Sequence, residues 1–235
     1  MFAIFKKEVR SYFYSPIAYV LIGLFVLLVS TFFYLTNLLG QSADFTATLS
    51  TVEFILIFII PMLTMRILSE DRKNGTEVLL ITSPVSLNSV VIGKFLAMLF
   101  VFLVMICITF IYPIIIFAFG KPPIAPLITS YLGLILIGAS FIALGIFASA
   151  LTENQIIAVV ISFVCLLFIQ LIDAIGSAAG GLVATILHWF SLQSRYSDFT
   201  SGQLSLASIV YFLSFIAVFL FLTIRVIEKR RWSQG

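Results

Sequence analysis

Few residues in this chain could do chemistry, and they do not form sets. The single histidine, His188, stands beside Trp189, with no second histidine and no cysteine at ligand spacing, so a metal site lacks its ligands. Trp189 reads instead as an anchor at a membrane boundary. Cys107 and Cys165 each fall inside an apolar run and read as small buried apolar side chains, not as a disulfide or metal pair. Glu53, Arg66, Asp173 and Arg225 border apolar stretches, where snorkelling or interfacial hydration accounts for them better than a proton relay. Neither a Gly-x-Ser-x-Gly elbow nor a His-Glu-x-x-His pair occurs. Gly133 to Ser140 superficially has phosphate-loop spacing, but Ala139 stands where a lysine would have to reach the phosphates. No nucleophile can be matched with a base. The sequence therefore points away from an enzyme, and no cofactor or metal is expected.

The elements that hold these residues explain the scarcity. Of the 235 residues, 62% are apolar and only 10% are charged, against about 45–50% and about 25% in a soluble domain. Lipid is the solvent such a surface requires. The net charge of +3 is carried by basic residues flanking apolar segments, so it speaks to topology rather than to nucleic acid. Six apolar runs stand out, at Ile17–Leu39, Thr51–Ile67, Val91–Phe119, Leu127–Leu151, Ile156–Ile175 and Leu206–Ile227. Each can cross a bilayer as a helix, the open-chain form that satisfies its own backbone there. The second has Ser50 and Glu53 at capping-box spacing and a kink expected at Pro61. The first lacks a small-residue cleavage site and is too long for the core of a signal peptide, so no leader is expected to be removed.

Lys6, Lys7, Arg10, Arg66, Arg72, Lys73, Lys94, Arg225, Lys229, Arg230 and Arg231 fall in one set of alternate connections, and only Lys121 and Arg195 in the other. The positive-inside rule puts both termini and the loop of residues 66–90 in the cytoplasm, which requires an even number of spans. The fold class expected is an all-α polytopic membrane protein with six transmembrane helices in a single domain, 1–235. Residues 1–14 set Phe2, Phe5, Val9, Tyr12 and Phe13 at helical spacing opposite Lys6, Lys7 and Arg10, describing an amphipathic helix on the inner leaflet. Residues 176–205 join a glycine-rich stretch to the apolar run Leu182–Leu192 and read as an outer re-entrant or interfacial hairpin. Small residues Ala139, Ala143, Gly145 and Ser149 on the fourth span would permit close helix contact.

The remaining feature is the loop Glu70-Asp71-Arg72-Lys73-Asn74-Gly75-Thr76-Glu77-Val-Leu79-Leu80-Ile-Thr-Ser-Pro84-Val85-Ser86. A charged turn with Gly75 leads into the apolar Val78–Ile81, and Pro84 stops any helix. Such an element either lies on the membrane or offers apolar surface to a cytoplasmic protein.

This loop resembles the one after the second helix of ABC-2 type transporter permeases. Lys6-Lys7-Glu8-x-Arg10-x-Tyr12-Phe13-x-Ser15-Pro16-x-Ala18-Tyr19 and Pro61-Met62-Leu63-Thr64-Met65-Arg66 look like the gliding-motility branch of that family. The sharp motifs occupy the first ninety residues, and the six-helix layout extends the resemblance over essentially the whole chain.

The resemblance implies an ATP-driven exporter, in which two six-helix permeases grip a dimer of separate cytoplasmic ABC ATPases. Residues 70–82 would be the coupling helix, with Glu70, Asp71, Arg72, Gly75, Thr76, Glu77, Leu79, Leu80 and Pro84 as coupling residues. Phe5, Lys6, Lys7 and Arg10 would belong to the interface helix. It further implies a bacterial inner membrane, a second permease copy or homologue, and possible company from an auxiliary membrane protein with an outer domain. The competing reading is a membrane anchor for an ATPase-driven envelope assembly that moves no substrate.

Overall fold

The computed structural model describes residues 1–76, 86–179 and 191–233. Within these the chain is almost entirely helical, without a strand. Helix α1 (Phe2–Tyr14) ends at Ser15, whose side chain accepts from the Ile17 amide to start α2 (Pro16–Phe33), with Pro16 at the first helical position. A π-helical stretch, Tyr34–Leu39, widens the far end of α2. There Asn37 donates to the carbonyls of Ser42 and Asp44 and accepts from Thr48, fastening the turn to the next helix. Then come α3 (Thr46–Thr64), α4 (Arg66–Lys73), α5 (Leu87–Thr109), α6 (Ile111–Phe119), α7 (Ile124–Leu151), α8 (Gln155–Ala179), α9 (Leu192–Thr200) and α10 (Leu206–Ser233).

Among the described residues six helical stretches are long and apolar enough to cross a membrane, as expected: Pro16–Leu39, Thr46–Lys73, Leu87–Phe119, Ile124–Leu151, Gln155–Ile172 and Leu206–Arg230. Helix α7 is the hub, packing against α3, α5, α8, α9 and α10. Its glycines make this possible. A Cβ on Gly138 would lie 2.3 Å from the Phe102 ring, and one on Gly145 2.2 Å from Thr64 Oγ1, so backbone and partner meet without a side chain between them. Helices α2, α8 and α10 turn Val20, Leu27, Val164, Phe168, Val210 and Phe221 outward, a surface for lipid rather than water.

Three expectations need correction. The helix containing Glu53 begins at Thr46, whose amide and hydroxyl both bond Asp44 Oδ1, at 2.9 and 2.7 Å. Ser50 therefore sits inside the helix and bonds back to the Thr46 carbonyl, so there is no Ser50–Glu53 capping box. The polar stretch before Ser50 hid the true start. The two cysteines are not buried: Cys107 and Cys165 face out from the bundle, because in a lipid-facing protein an apolar run does not imply an interior position. Snorkelling also fails for Glu53 and Arg66. Glu53 is 1% exposed, and Arg66 is held by protein partners; of the other two, Arg225 is exposed and paired with Glu228, while the Asp173 side chain lies outside the described residues.

Two spans are interrupted, one of them by proline chemistry. Pro113 has no N–H for the Thr109 carbonyl, the ladder stops between α5 and α6, and the Tyr131 hydroxyl donates to that carbonyl at 3.2 Å. Pro61 sits inside α3, which continues past it with the Met65 amide donating to the Pro61 carbonyl at 2.9 Å. The interruption of this span lies one turn beyond the proline, at Met65, where α3 gives way to α4. Of the hairpin proposed for 176–205, α8 extends through Gly176 to Ala179 and α9 follows from Leu192; its centre lies outside the described residues, with His188 and Trp189.

Candidate functional site

At the Lys- and Arg-rich end of the bundle, α1, α4 and the start of α5 converge on one side chain. Lys94 enters α5 after Val90, Val91, Ile92 and Gly93, in an apolar run that buries it to 1% exposure. A lysine so placed must find oxygen partners. Its Nζ lies 2.9 Å from Glu8 Oε1 on α1, 2.6 Å from Asp71 Oδ2 on α4, and donates to the Ile67 carbonyl at 2.7 Å. Three elements that no covalent bond holds at this angle are thereby fixed to one point. Gly93 lets α1 come close: a Cβ there would meet the Met1 carbonyl at 3.2 Å and the Ile4 side chain at 3.3 Å.

A second pairing lies beside the first. The Arg66 guanidinium grips Glu70 with both arms, Nε to Oε2 at 2.7 Å and Nη2 to Oε1 at 3.2 Å, while Nη1 donates to Ser15 Oγ at 3.1 Å. Its carbon lies 5.7 Å from the centre of the Tyr12 ring. Tyr12 is buried and donates its hydroxyl to the Leu63 carbonyl. Burial pushes the phenol above its ordinary range, against the pull of Arg66 in the other direction, so the donor stays protonated. A polar cavity of about 230 Å³ remains among Lys7, Glu8, Tyr12, Glu70, Thr76 and Lys94.

The coupling residues expected from the sequence divide accordingly. Glu70 and Asp71 are structural anchors, committed to Arg66 and Lys94. Arg72 reaches the turn between α7 and α8, pairing with Glu153 Oε1 at 2.6 Å. Asn74 donates its amide to the Glu70 carbonyl, Gly75 takes the left-handed conformation at φ +70° that ends the helix, and Thr76 Oγ1 donates to Asp71 Oδ1 at 2.9 Å. Glu77, Leu79, Leu80 and Pro84 lie outside the described residues. On α1, Phe5 packs edge-on against Phe100 with ring centres 5.9 Å apart, whereas Lys6, Lys7 and Arg10 are exposed. Helix α1 is therefore seated on α5 by its own side chains as well as being amphipathic.

Glu8 and Lys94 were missed as site residues. Glu8 is the one acid among the first fourteen residues, in a helix otherwise basic, and Lys94 is a lysine inside an apolar run; both signals were legible. Lys94 was read only as a topology signal because lysines near span ends usually are one. Ser149 was singled out for its size alone. It also bonds the start of α4, accepting from the amides of Leu68 and Ser69 at 3.1 Å each and donating to the Met65 carbonyl at 2.9 Å.

At the opposite end, a second polar cluster gathers on Glu53. Gln170 Nε2 of α8 approaches its carboxylate at 3.5 Å and lies 2.9 Å from the side-chain amide of Gln193 on α9. With its nitrogen turned toward Glu53, Gln193 donates to the two carboxylate oxygens at 3.2 and 3.0 Å. Tyr196, on the next turn, donates to the Leu49 carbonyl at 3.3 Å. Among the described residues no group of three potential ligands could hold a metal.

No curated protein matches this sequence. The family model for ABC-2 family transporter protein matches residues 2–232. That match is to the family as a whole and does not single out the gliding-motility branch. Its extent and the six apolar helices agree: the chain belongs to the ABC-2 transporter family, as a multi-pass membrane permease subunit that is not itself catalytic.

Proposed function

We propose that this permease is driven by a separate ABC ATPase docking on the basic end of the bundle, and that the pair exports its cargo. The observation that carries this reading is Lys94. A single buried cation joins α1 and α4 to the base of α5, so pressure on the loop between α4 and α5, or on α1, is delivered to two membrane spans at once. Structure of that kind is wasted on an idle membrane-surface loop. The basic end faces the cytoplasm of a bacterial cell by the charge rule, with both termini there. The exposed Lys6, Lys7 and Arg10, with the loop of residues 70–86, form the docking face, and a second permease copy or homologue completes the complex.

In this mechanism, closure of the ATPase dimer on ATP pushes the loops of two permeases together, and the paired membrane domains change the side to which their shared path opens. The permease contributes the two-state element and the partner contributes the chemistry. The experiment is purification of the tagged protein in mild detergent from its native host, identifying co-purifying chains and assaying ATP hydrolysis. An ATPase is expected, lost or uncoupled when Glu70 and Asp71 are reversed in charge or Gly75 is replaced by valine. A chain that purifies alone would overturn the reading. An ATPase captured without any ATP-dependent cargo movement would favour the anchor reading.

A further inference from the structure

Where α3 meets α4 the backbone ladder of the second span is open, and hydroxyls from two other helices occupy it. Helix α3 ends at Thr64 and α4 begins at Arg66 although Met65 keeps helical angles, φ −52° and ψ −39°. The ordinary partner of the Leu63 carbonyl would be the Ile67 amide, four residues on; the Tyr12 hydroxyl of α1 donates to that carbonyl. On the other side of Met65, Ser149 Oγ of α7 accepts from the amides of Leu68 and Ser69 and donates to the Met65 carbonyl. Ser69 Oγ bonds the same carbonyl. Interruption of a ladder by an inserted side chain is a recognised cause of a helix kink. One turn earlier on α7, Gly145 lets the Thr64 side chain against the α7 backbone, so a close contact of the two helices lies beside the serine at the break.

We propose that Met65 is the hinge of the second span, and that Ser149 and Tyr12 are the positioning residues that hold it open. The membrane part of the span, α3, packs along α7 more extensively than α4 does; α4 touches α7 at Ser149 and the turn before α8 at Glu153, and leads directly to the segment of residues 74–86. A continuous helix across Met65 would turn α4 and everything beyond it as one rod with α3. An interrupted one lets α4 tilt while α3 stays, with the freed backbone groups satisfied by neighbouring hydroxyls rather than left bare in a buried site. Hinges of this type concentrate a large change of direction in a few residues at an element's end. The role in transport rests on the function proposed above; the hinge itself does not.

The test uses full-length protein in nanodiscs, with Cys107 and Cys165 replaced by alanine and spin labels at Asn74, beyond α4, and Ile156, at the start of α8. Distances are measured by pulsed electron resonance. S149A is expected to shift the Asn74–Ile156 distribution by a few ångström, while S149T, which keeps the hydroxyl, restores it. Y12F, which keeps the ring, is expected to act in the same direction and serves where S149A fails to insert. An unchanged distribution in both S149A and Y12F would overturn the hinge, as would equal shifts in S149A and S149T, which would make side-chain volume the cause. Capture of an ATPase is scored separately on the same preparations. Distance shifts without ATPase capture would overturn the proposed function alone; ATPase capture without distance shifts would overturn the hinge alone.

Discussion

The two ends of the bundle each bury a charged residue, and they solve the problem differently. At the basic end Lys94 meets two carboxylates, Glu8 and Asp71, from two other elements. At the opposite end Glu53 meets two neutral amides, Gln170 and Gln193. An ion cluster is rigid because losing any member strands the others without water, whereas an amide pair around a carboxylate can rearrange by turning an amide. One end is thus braced by ions that join α1, α4 and α5, and the other is held by amides that join α8 and α9 to α3.

The largest effect expected is from K94M, which strands the buried Glu8 and the half-buried Asp71 and should cost about 3–5 kcal/mol. It would appear as a sharp loss of thermal stability in detergent. The triple variant E8Q/D71N/K94M removes every member and should recover most of that loss; failure to recover would mean the cluster is not an isolated electrostatic unit. Next, G145V forces a branched side chain onto Thr64 and should destabilise by about 1–3 kcal/mol, read by the same melting assay. E53Q replaces a carboxylate whose partners are amides by another amide, and should change stability by no more than about 1 kcal/mol. A loss as large as that of K94M would erase the contrast between the ends. Smallest is E153A, which breaks an ion pair whose side chains are 31% and 57% exposed; about 0.2–1 kcal/mol is expected, vanishing when the melt is repeated at high salt.

Much of this fold was legible in the sequence because its solvent imposes a simple rule: spans must be long, apolar and helical. The six runs therefore emerged near their true limits, and the positions of Lys6 to Arg10 marked α1. What the rule does not contain is which face of a span meets protein and which meets lipid. Cys107 and Cys165 were misassigned on that account, and Glu53 was assigned to a helix start because the helix extended unseen back to Thr46. In the candidate site, Glu70 and Asp71 stand out in the sequence as charges of the segment after the second span, but their pairing with Arg66 and Lys94 is visible only in the structure. Lys94 lies more than eighty residues from Glu8 in sequence, and nothing local announces that pairing. Ser149 looked like a small residue for packing, and only its placement against a broken ladder reveals the use of its hydroxyl.

The outward-facing thiols of Cys107 and Cys165 carry a practical consequence. Both lie within spans and point away from the bundle, so lipid-soluble maleimides can reach them and charged, membrane-impermeant reagents cannot. The chain thus contains two native chemical probes of its own surroundings. A thiol that loses its reactivity when complexes assemble identifies the helix face that has exchanged lipid for protein.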